Sequence, residues 1–485
     1  MSSTPSNEGK SADTEAKTDL WLICPICKQP NPAGTLHCKY CWGASLYSVT
    51  PVTNEQLAEF LESRNKRQRS TRVLRNAAIG IVAPLLLLSV VFFWIYSFTD
   101  LLFAPPEYLN SSSLDGDWTM FRHDVSRTGA TDIIATNPTG EVKWSFQTGK
   151  EIGSSPTVAN GMVYFGCRDF NLYALDAKTG ELKWTFTAGS WIESSPTVAN
   201  GVVYFGSNDG YLYAVDALTG DKLWDFQTKY AIKSSPAVVG DTVYFGGDDY
   251  FVYAVDAKTG NKKWDFQTNG YVISSPVISD GILYVGSMDN ACYALNADSG
   301  RFRLKMRVKE VVSSPAVKDN IVYFTSERYL YAMDGKARNW PLEEEFRPWW
   351  IQFWVFGLAP PPPPVSGVLW GIKLTSTFSA VSNTTPVIDD TILYTTGGSK
   401  VLKVDLTTKE FIWTYQTGGT IRSSPALANG VIYVGSNDGK LYAINAQDGK
   451  PLWNFQTGDQ ITSSPTYADG VVYVTSLDGT IYAIE

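Results

Sequence analysis

The hydrophobic and polar positions of this chain follow one short pattern that returns along most of its length. Residues 193–226 are a clear copy and read ESSPTVANGVVYFGSNDGYLYAVDALTGDKLWDF. Four short segments rich in Val, Tyr, Phe and Trp are separated by the turn sequences ANG, NDG and LTG. Short apolar segments bounded by Gly, Asn and Asp are typical of β-strands joined by tight turns. The pattern therefore predicts a four-stranded antiparallel meander, with strands A to D in chain order.

The meander recurs at a period of about 40 residues, which indicates a repeat protein. The tripeptide SSP or TTP marks eight copies, at Pro156, Pro196, Pro236, Pro276, Pro315, Pro386, Pro425 and Pro465. One such sheet cannot bury both faces, but sheets arranged radially cover one another. The predicted fold class is therefore all-β, with an eight-bladed β-propeller over residues 118–485.

The eighth copy reaches Glu485 with strands A to C and no strand D. The missing phrase stands before the first SSP, where residues 139–146 read TGEVKWSF. We predict that this N-terminal segment supplies strand D of the last blade and closes the ring, because closure removes free sheet edges.

Residues 118–130, WTMFRHDVSRTGA, and the recurring YALDAKTGxxxWxF resemble the pyrroloquinoline-quinone-type repeat propellers. That family includes the quinoprotein dehydrogenases and the propeller lipoprotein of the outer-membrane β-barrel assembly machinery, so it holds both enzymes and binding scaffolds. The resemblance implies that the strand D tryptophans dock between adjacent blades. It also implies that the enzymes use a vicinal Cys–Cys disulfide and a Ca²⁺ held by Glu, Asn and Asp.

The chain has no adjacent cysteines, and His123 is the one histidine after residue 37. A catalytic triad or a histidine-based metal site is therefore not expected in the propeller. Serines of SSP and aspartates of the turns recur from blade to blade, which indicates architectural roles. We therefore predict that the protein is not an enzyme and that it does not bind pyrroloquinoline quinone. The alternative is a quinoprotein dehydrogenase-like enzyme.

Positions that differ between blades can carry function. Strand A is innermost, and the residues one and three places before each SSP share one face of it. These positions predict a ligand or partner site at the channel mouth, for an extracytoplasmic protein or polymer, with Trp191, Glu193, Lys233, Tyr271 and Arg422. The alternative is that they are ordinary solvated loop residues.

Residues 335–366 form an insertion rich in aromatic residues and proline. It is too short to span a bilayer. The loop from strand C to strand D emerges on the face where the N-terminal segment enters, so we expect the insertion to contact the membrane interface through Trp349, Trp350, Phe353, Trp354 and Phe356. A protein-docking arm and packing against the blade are the alternatives.

Residues 77–98 contain no charged side chain, and a helix of this length spans about 33 Å. This segment predicts one transmembrane helix. A basic juxtamembrane linker precedes it at 49–76 and a linker follows at 99–117; the basic flank predicts a cytoplasmic N-terminus and an extracytoplasmic propeller in the cell membrane.

Before the linker, residues 20–48 carry two C-x2-C pairs, Cys24 with Cys27 and Cys38 with Cys41. Two such pairs can complete a tetrahedral thiolate site, so the segment predicts a structural zinc ribbon. It resembles the small zinc-ribbon modules of prokaryotic membrane proteins, and His37 is an alternative ligand. Residues 1–19 are predicted to be a disordered tail.

The net charge is −8 for the whole chain and +3 for residues 1–76, which leaves an acidic remainder. Nucleic acid is therefore excluded as the main partner, because phosphate binding needs a basic surface. The sequence favours a membrane-anchored binding or scaffold module, in envelope protein assembly or in ligand sensing.

Overall fold

The structure is a computed structural model that describes residues 20–41, 45–67, 119–124, 129–131, 137–309, 312–326, 328–340, 343–362, 365–375 and 384–485. The chain divides into two compact units, Met1–Phe93 and Trp94–Glu485. The predicted tail (1–19), transmembrane helix (77–98) and linker (99–117) lie outside the described residues. Among the helices of the described residues, none combines the length and apolar character that a membrane span requires.

The N-terminal unit begins with a small two-stranded ribbon. Strands β1 (Trp21–Ile23) and β2 (Pro30–Pro32) pair antiparallel. The segment predicted as the juxtamembrane linker contains a helix, α1, at residues 54–67. The Trp21 indole donates to Asn54 Oδ1 at 2.8 Å, so the first turn of α1 is attached to the ribbon.

Helix α1 starts at a capping box, which explains why a polar segment becomes helical here. The backbone N–H of Gln56 donates to Thr53 Oγ1 at 3.4 Å, and the N–H of Thr53 donates to Gln56 Oε1 at 3.1 Å. This reciprocal pair satisfies N–H groups that a helix start otherwise leaves without partners.

The second unit is an eight-bladed β-propeller, as predicted. Each blade is an antiparallel meander in which strand A is innermost and strand D is outermost. The strands, in the order A to D, are β5–β8 in blade one (Thr157–Ala159, Met162–Gly166, Asn171–Asp176, Leu182–Thr187), β9–β12 in blade two (Thr197–Ala199, Val202–Gly206, Tyr211–Asp216, Lys222–Gln227), β13–β16 in blade three (Ala237–Val239, Thr242–Gly246, Phe251–Asp256, Lys262–Gln267), β17–β20 in blade four (Val277–Ser279, Ile282–Ser287, Ala291–Asn296, Phe302–Arg307), β21–β24 in blade five (Ala316–Lys318, Ile321–Ser326, Tyr329–Asp334, Val368–Lys373), β25–β28 in blade six (Val387–Asp389, Ile392–Gly397, Lys400–Asp405, Phe411–Gln416) and β29–β32 in blade seven (Ala426–Ala428, Val431–Gly435, Lys440–Asn445, Pro451–Gln456).

Blade eight combines strands from the two ends of the repeat region. Its strands A to C are β33–β35 (Thr466–Ala468, Val471–Thr475, Thr480–Ile484), and its outer strand is β4 (Val142–Gln147). Strand β4 pairs antiparallel with β35, and Lys143 Nζ lies 3.0 Å from Glu485 Oε2.

Tryptophans in strand D join neighbouring blades, as the resemblance implied. Trp224 Nε1 donates to the carbonyl oxygen of Ala257 at 3.0 Å. A Cβ at Gly260, where φ is +71°, would lie 2.7 Å from the same indole, so only glycine fits under the ring. Equivalent indole bonds are made by Trp144, Trp184, Trp264 and Trp413.

The serines of the SSP motif link the inner strands around the ring. The N–H of Ser155 donates to the hydroxyl of Ser195 at 3.0 Å. The same bond joins Ser195 to Ser235, Ser235 to Ser275, Ser275 to Ser314, Thr385 to Ser424, Ser424 to Ser464 and Ser464 to Ser155. These hydroxyls are therefore part of the architecture, as their recurrence predicted.

Residues 119–124 lie inside the ring. The carbonyl oxygen of Thr119 accepts from the N–H of Val198 in blade two at 2.7 Å. The buried guanidinium of Arg122 donates to the carbonyl oxygens of Pro386 and Pro425, at the start of blades six and seven. Blades two and six are opposite each other in an eight-bladed ring, so this segment crosses the channel.

The channel segment continues into a short strand. Strand β3 (Ala130–Thr131) pairs parallel with β29 of blade seven and makes that sheet five-stranded. The channel is thus occupied by the chain itself.

The insertion between strands C and D of blade five contains helix α2 (Glu343–Val355). Its first residue, Glu343, is buried and accepts from Asn339 Nδ2 at 2.7 Å and from the N–H of Ser366 at 3.2 Å. Glu344 pairs with Arg307 of blade four. The two ends of the insertion and the neighbouring blade therefore hold the base of α2 in place.

Candidate functional site

The four predicted zinc ligands lie together. Their Sγ atoms are all within 4.8 Å of one another; those of Cys24 and Cys41 are 3.7 Å apart and those of Cys27 and Cys38 are 3.4 Å apart. With metal–sulfur bonds of about 2.3 Å, tetrahedral thiolates lie about 3.8 Å apart. The spacing fits a tetrahedral ion held by four thiolates, which would give a structural rather than a catalytic centre.

Backbone N–H groups around the cluster favour the thiolate form at two cysteines, Cys24 and Cys38, because they lower the pKa of both. Burial opposes ionisation of Cys38, but the N–H groups of Tyr40 and Cys41 outweigh it and lower the pKa of Cys38 to about 6. Burial raises the pKa of Cys27 to about 12. A bound cation would supply the positive charge that the remaining thiolates need.

Asn31 supports the cluster, and the sequence analysis did not name it. Its side chain is buried, donates to Cys38 Sγ at 3.5 Å and accepts from the N–H of Lys39 at 3.0 Å. A polar residue between two prolines just before the second C-x2-C pair was the available signal. His37, the alternative ligand, is exposed and is not part of the described cluster.

The predicted mouth residues of blade two are held by an arginine of blade one. The Arg168 Nη2 atom lies 2.8 Å from Glu193 Oε1, and Nη1 lies 2.5 Å from Glu151 Oε2. The same guanidinium lies 5.3 Å from the centre of the half-exposed Trp191 ring. Trp191 and Glu193 therefore form one cluster with Arg168, which comes from a B–C turn.

Lys233 and Tyr271 line a cleft of about 1190 Å³ at the mouths of blades two to four. The Lys233 ammonium lies 2.8 Å from Asp248 Oδ2, and the Tyr271 ring packs on Tyr250 with centres 5.1 Å apart. Arg422 is exposed in blade seven, across the ring, and is not among the residues that line this cleft. Of the five predicted residues, Lys233 and Tyr271 therefore lie in this cleft, and Trp191 and Glu193 lie at Arg168. Arg422 is separate from both groups.

Most of the residues that line the cleft were not predicted from the sequence. Asn208, Asp248, Tyr250 and Met288 lie in B–C turns, and Tyr230 lies in a D–A loop. The B–C turns vary from blade to blade as the D–A loops do, and that variation was the available signal.

The recurring turn aspartates have the architectural role that their repetition predicted. In the B–C turn, Asp249 Oδ2 accepts from the Tyr253 hydroxyl at 2.7 Å and from the N–H of Lys229 at 3.1 Å. At the end of strand C, Asp216 Oδ1 accepts two turn N–H bonds. Asn445 accepts the same bonds with an amide oxygen, so no proton transfer is needed there.

The aromatic insertion exposes four of the five residues predicted to contact the membrane. Trp349 is 66% exposed and Phe356 is 68% exposed, and Phe353 and Trp354 are each about half exposed. Trp350 differs, because its indole donates to the carbonyl of Pro360 at 2.9 Å and its ring packs edge-on against Trp340. Trp350 therefore folds the polyproline stretch back onto α2.

Comparison with known proteins identifies the propeller. Residues 129–270, 251–345 and 354–485 match the family described as outer membrane protein assembly factor BamB. This chain belongs to the BamB family. No curated protein matches the chain.

Solved structures share the BamB-family fold at low sequence identity. BamB from Moraxella catarrhalis is 16% identical with a TM-score of 0.56, over 71% of this chain and 97% of that one. Quinohemoprotein alcohol dehydrogenase from Comamonas testosteroni is 16% identical with a TM-score of 0.62, over 76% and 80%. A europium-containing methanol dehydrogenase is 15% identical with a TM-score of 0.61, over 74% and 89%. These likenesses show the fold alone.

The residues of this BamB-family propeller do not fit a quinone stacked on a vicinal disulfide. Cys167 and Cys292 are both buried and lie in separate hydrophobic clusters, in blades one and four. Burial raises the pKa of Cys167 to about 11. Within the channel, the Arg122 guanidinium is bonded to the carbonyl oxygens of Pro386 and Pro425.

Proposed function

We propose that this protein is a single-pass membrane protein that presents its BamB-family propeller outside the cytoplasm as a non-catalytic binding module. The observation that carries the proposal is the mouth cleft. The repeat is uniform at the serines and turn aspartates, yet Tyr230, Asp248, Tyr250 and Tyr271 depart from it, and they converge on one cleft. A binding surface on a uniform scaffold is expected to vary in this way.

Two further features support a binding role over catalysis. The charged groups around the mouth are paired with one another, Arg168 with Glu151 and Glu193 and Lys233 with Asp248. The channel, where a central cofactor would need room, is crossed by the segment 119–124. The propeller closed by β4 is then a rigid frame for recognition.

The membrane part of the proposal rests on sequence and on helix α2. The uncharged segment 77–98 follows a basic flank, which places the N-terminus and its cysteine cluster in the cytoplasm. Helix α2 then offers exposed Trp349, Phe353 and Trp354 to the bilayer interface. The mouth cleft, at the opposite ends of the strands, faces away from the membrane toward an extracytoplasmic protein or polymer.

The name of the family indicates one role for such a module, since it describes a factor of outer membrane protein assembly. Envelope protein assembly is therefore the first candidate role, and ligand sensing is the second. The structural likeness to quinohemoprotein alcohol dehydrogenase favours the alternative, a quinoprotein dehydrogenase.

Two measurements on the full chain test the proposal. The first uses the single variants Glu62→Cys and Asp459→Cys and a membrane-impermeant maleimide applied to intact cells. Only the Asp459→Cys variant should be labelled. Purified protein supplied with pyrroloquinoline quinone and Ca²⁺ should reduce no artificial dye with primary alcohols. Labelling at position 62 would overturn the orientation, and alcohol-dependent dye reduction would establish the enzyme.

A further inference from the structure

The mouth cleft contains an aromatic residue in a backbone conformation that aromatic residues avoid. Tyr250 follows the B–C turn aspartate with a φ of +76°. Blades two, seven and eight have glycine at this position, with φ of +86°, +79° and +82°. Glycine adopts this region without strain, whereas a bulky side chain does not. Phe170 has the same conformation in blade one, with φ of +79°, so the strain alone assigns no function and the groups around Tyr250 must carry the inference.

Tyr250 belongs to a group of three tyrosines that face the cleft. Its ring centre lies 5.1 Å from that of Tyr271, and Tyr230 also lines the cleft. All three rings are between 40% and 55% exposed. The nearby Tyr271 phenol and burial raise the pKa of Tyr250, with a contribution from Tyr230. The three tyrosines therefore line one space, and each exposes part of its side chain to it.

Two side chains that line the cleft each have a hydrogen-bond acceptor without a donor among the described residues. Among the residues that the structure describes, no donor reaches Asn208 Oδ1 or Asp248 Oδ1, although both atoms are buried from solvent. A buried acceptor without a partner is unfavourable. Both residues line the cleft, so a ligand that binds there and turns either side chain toward itself would bring a donor to its oxygen.

The charges around the tyrosines nearly balance, because the carboxylates of Asp209, Asp248 and Asp249 line the cleft together with the ammonium groups of Lys229 and Lys233, and this favours a ligand without strong charge. Asp248 is already paired with Lys233 at 2.8 Å, so no net charge is left there for an amine to neutralise. An anion would place oxygen acceptors against the two orphan acceptors. A hydroxyl group fits, because it donates to one atom and accepts from another.

We propose that this cleft binds a neutral polyhydroxylated chain, an oligosaccharide of pyranose rings. The C–H faces of the rings lie on Tyr250 and Tyr271, and hydroxyls donate to Asn208 and Asp248 while Lys233 donates to them. The cleft, at about 1190 Å³, exceeds the roughly 300–1,000 Å³ of small-molecule pockets, so it takes several rings. This inference rests on the proposed binding function and names its ligand class.

A peptide is the less favoured ligand. Extended peptides are bound by free sheet edges or by apolar pockets for alternate side chains. The residues that line the cleft lie mainly in B–C turns and D–A loops rather than along an open strand edge, and tyrosine rings and polar side chains form most of the lining.

The test is calorimetric titration of the full chain in lipid nanodiscs with two neutral probes, cellohexaose and chitohexaose. We expect saturable binding of at least one. Tyr250→Gly should weaken it at least tenfold, and Tyr271→Ala should do the same. The matched control is Phe170→Gly, which makes the same replacement at the same turn position of blade one, where φ is +79°, outside the cleft; its binding should equal that of the wild type.

Glycine already occupies this turn position in three other blades, so Tyr250→Gly is expected to fold, and circular dichroism melting checks this. Absence of binding by both hexaoses, or wild-type affinity in folded Tyr250→Gly, would overturn the inference. If twelve-residue peptides selected by phage display bind instead and lose affinity in Tyr250→Gly, the ligand class is wrong while the binding module stands. The maleimide-labelling and dye-reduction assays test the proposed function independently of this titration.

Discussion

The indole Nε1 of Trp453 donates to the carbonyl oxygen of Pro138 at 2.7 Å, although the two residues are 315 positions apart in the chain. For five other strand D tryptophans, an alanine after strand C of the next blade accepts this bond. Gly140, with φ of +97°, lies under the Trp453 ring, as a glycine of the C–D turn lies under each of those five rings. The segment before β4 thus supplies to Trp453 the acceptor and the glycine that a C–D turn supplies to the other five tryptophans.

Replacing this tryptophan should therefore destabilise the propeller. Trp453→Phe keeps the aromatic ring but loses the donor, so we expect the free energy of unfolding to fall by about 1 kcal/mol. Urea denaturation followed by circular dichroism measures it. Trp349→Phe, at an exposed position, is the control and should have no effect; equal midpoints for Trp453→Phe and wild type would contradict the role of this bond.

The channel segment makes a second prediction about stability. Arg122→Met keeps the length of the side chain but leaves the Pro386 and Pro425 carbonyls without their donor. Bonds to charged groups contribute about 1.5–3 kcal/mol each, so we expect a loss of about 3 kcal/mol. Arg422→Met, at an exposed position, should cost almost nothing, and a similar loss in both variants would refute a specific role for Arg122.

The cysteine cluster predicts one bound zinc ion per chain. Elemental analysis of protein purified without chelator should find it, and Cys38→Ser should lose most of it because three thiolates no longer close the tetrahedron. Cys167→Ser, which changes a buried propeller cysteine, should retain full zinc content. Metal retained by Cys38→Ser would show that the ion, if present, is bound elsewhere.

The exposed aromatic residues of α2 predict contact with lipid. In nanodiscs that contain dibrominated lipid, tryptophan fluorescence should be quenched, and the double variant Trp349→Phe and Trp354→Phe should lose a measurable part of that quenching. The control is Trp191→Phe at the mouth, which is also half exposed but faces away from the bilayer in our proposal. Equal loss in the control would remove the membrane-facing assignment.

The strand C aspartates predict acid sensitivity. The turn N–H groups of Thr219 and Leu218 hold the pKa of Asp216 below its ordinary value of 3.8. A lowered pKa adds stability above pH 3.8, and this stability is lost as the pH falls through the folded-state pKa. Asp256 and Asp405 behave alike, so the free energy of unfolding should decrease from about pH 5 downward.

Asp216→Asn isolates this effect, because Asn445 fills the same position in blade seven. Its unfolding free energy should vary less steeply between pH 5 and pH 3 than that of the wild type. Asp298→Asn should change the slope in the opposite direction, since burial raises the pKa of Asp298. Identical pH profiles for wild type and Asp216→Asn would contradict the turn-bond explanation.

Much of the fold could be read from the chain because its repeats are nearly identical. The turn phrases ANG, NDG and LTG separate the strands correctly, and tryptophans such as Trp224 mark strand D in most blades. Helix α1 was missed because most of its segment is polar. The local signals were the capping box at Thr53 and Gln56 and the short apolar stripe of Leu57, Phe60 and Leu61 at helical spacing.

The candidate site was only partly predictable. The four cysteines of the cluster could be predicted, because C-x2-C spacing by itself places two thiolates around one point. The mouth cleft could not be predicted, because it depends on which loops of neighbouring blades meet. Lys233 contacts Asp248, and Tyr271 packs on Tyr250. Arg422 lies in blade seven and does not line the cleft.

The sequence alone determined the all-β repeat, the blade count and the cysteine cluster, because each depends on short-range pattern: alternation, turn residues and local spacing. Only the tertiary structure decided that Arg122 lies in the channel and that Tyr250 packs on Tyr271 in one cleft. It also decided that Trp350 packs against Trp340 while Trp349 is exposed. Those outcomes depend on contacts between blades and loops distant in the chain, and no local pattern encodes which of them will meet.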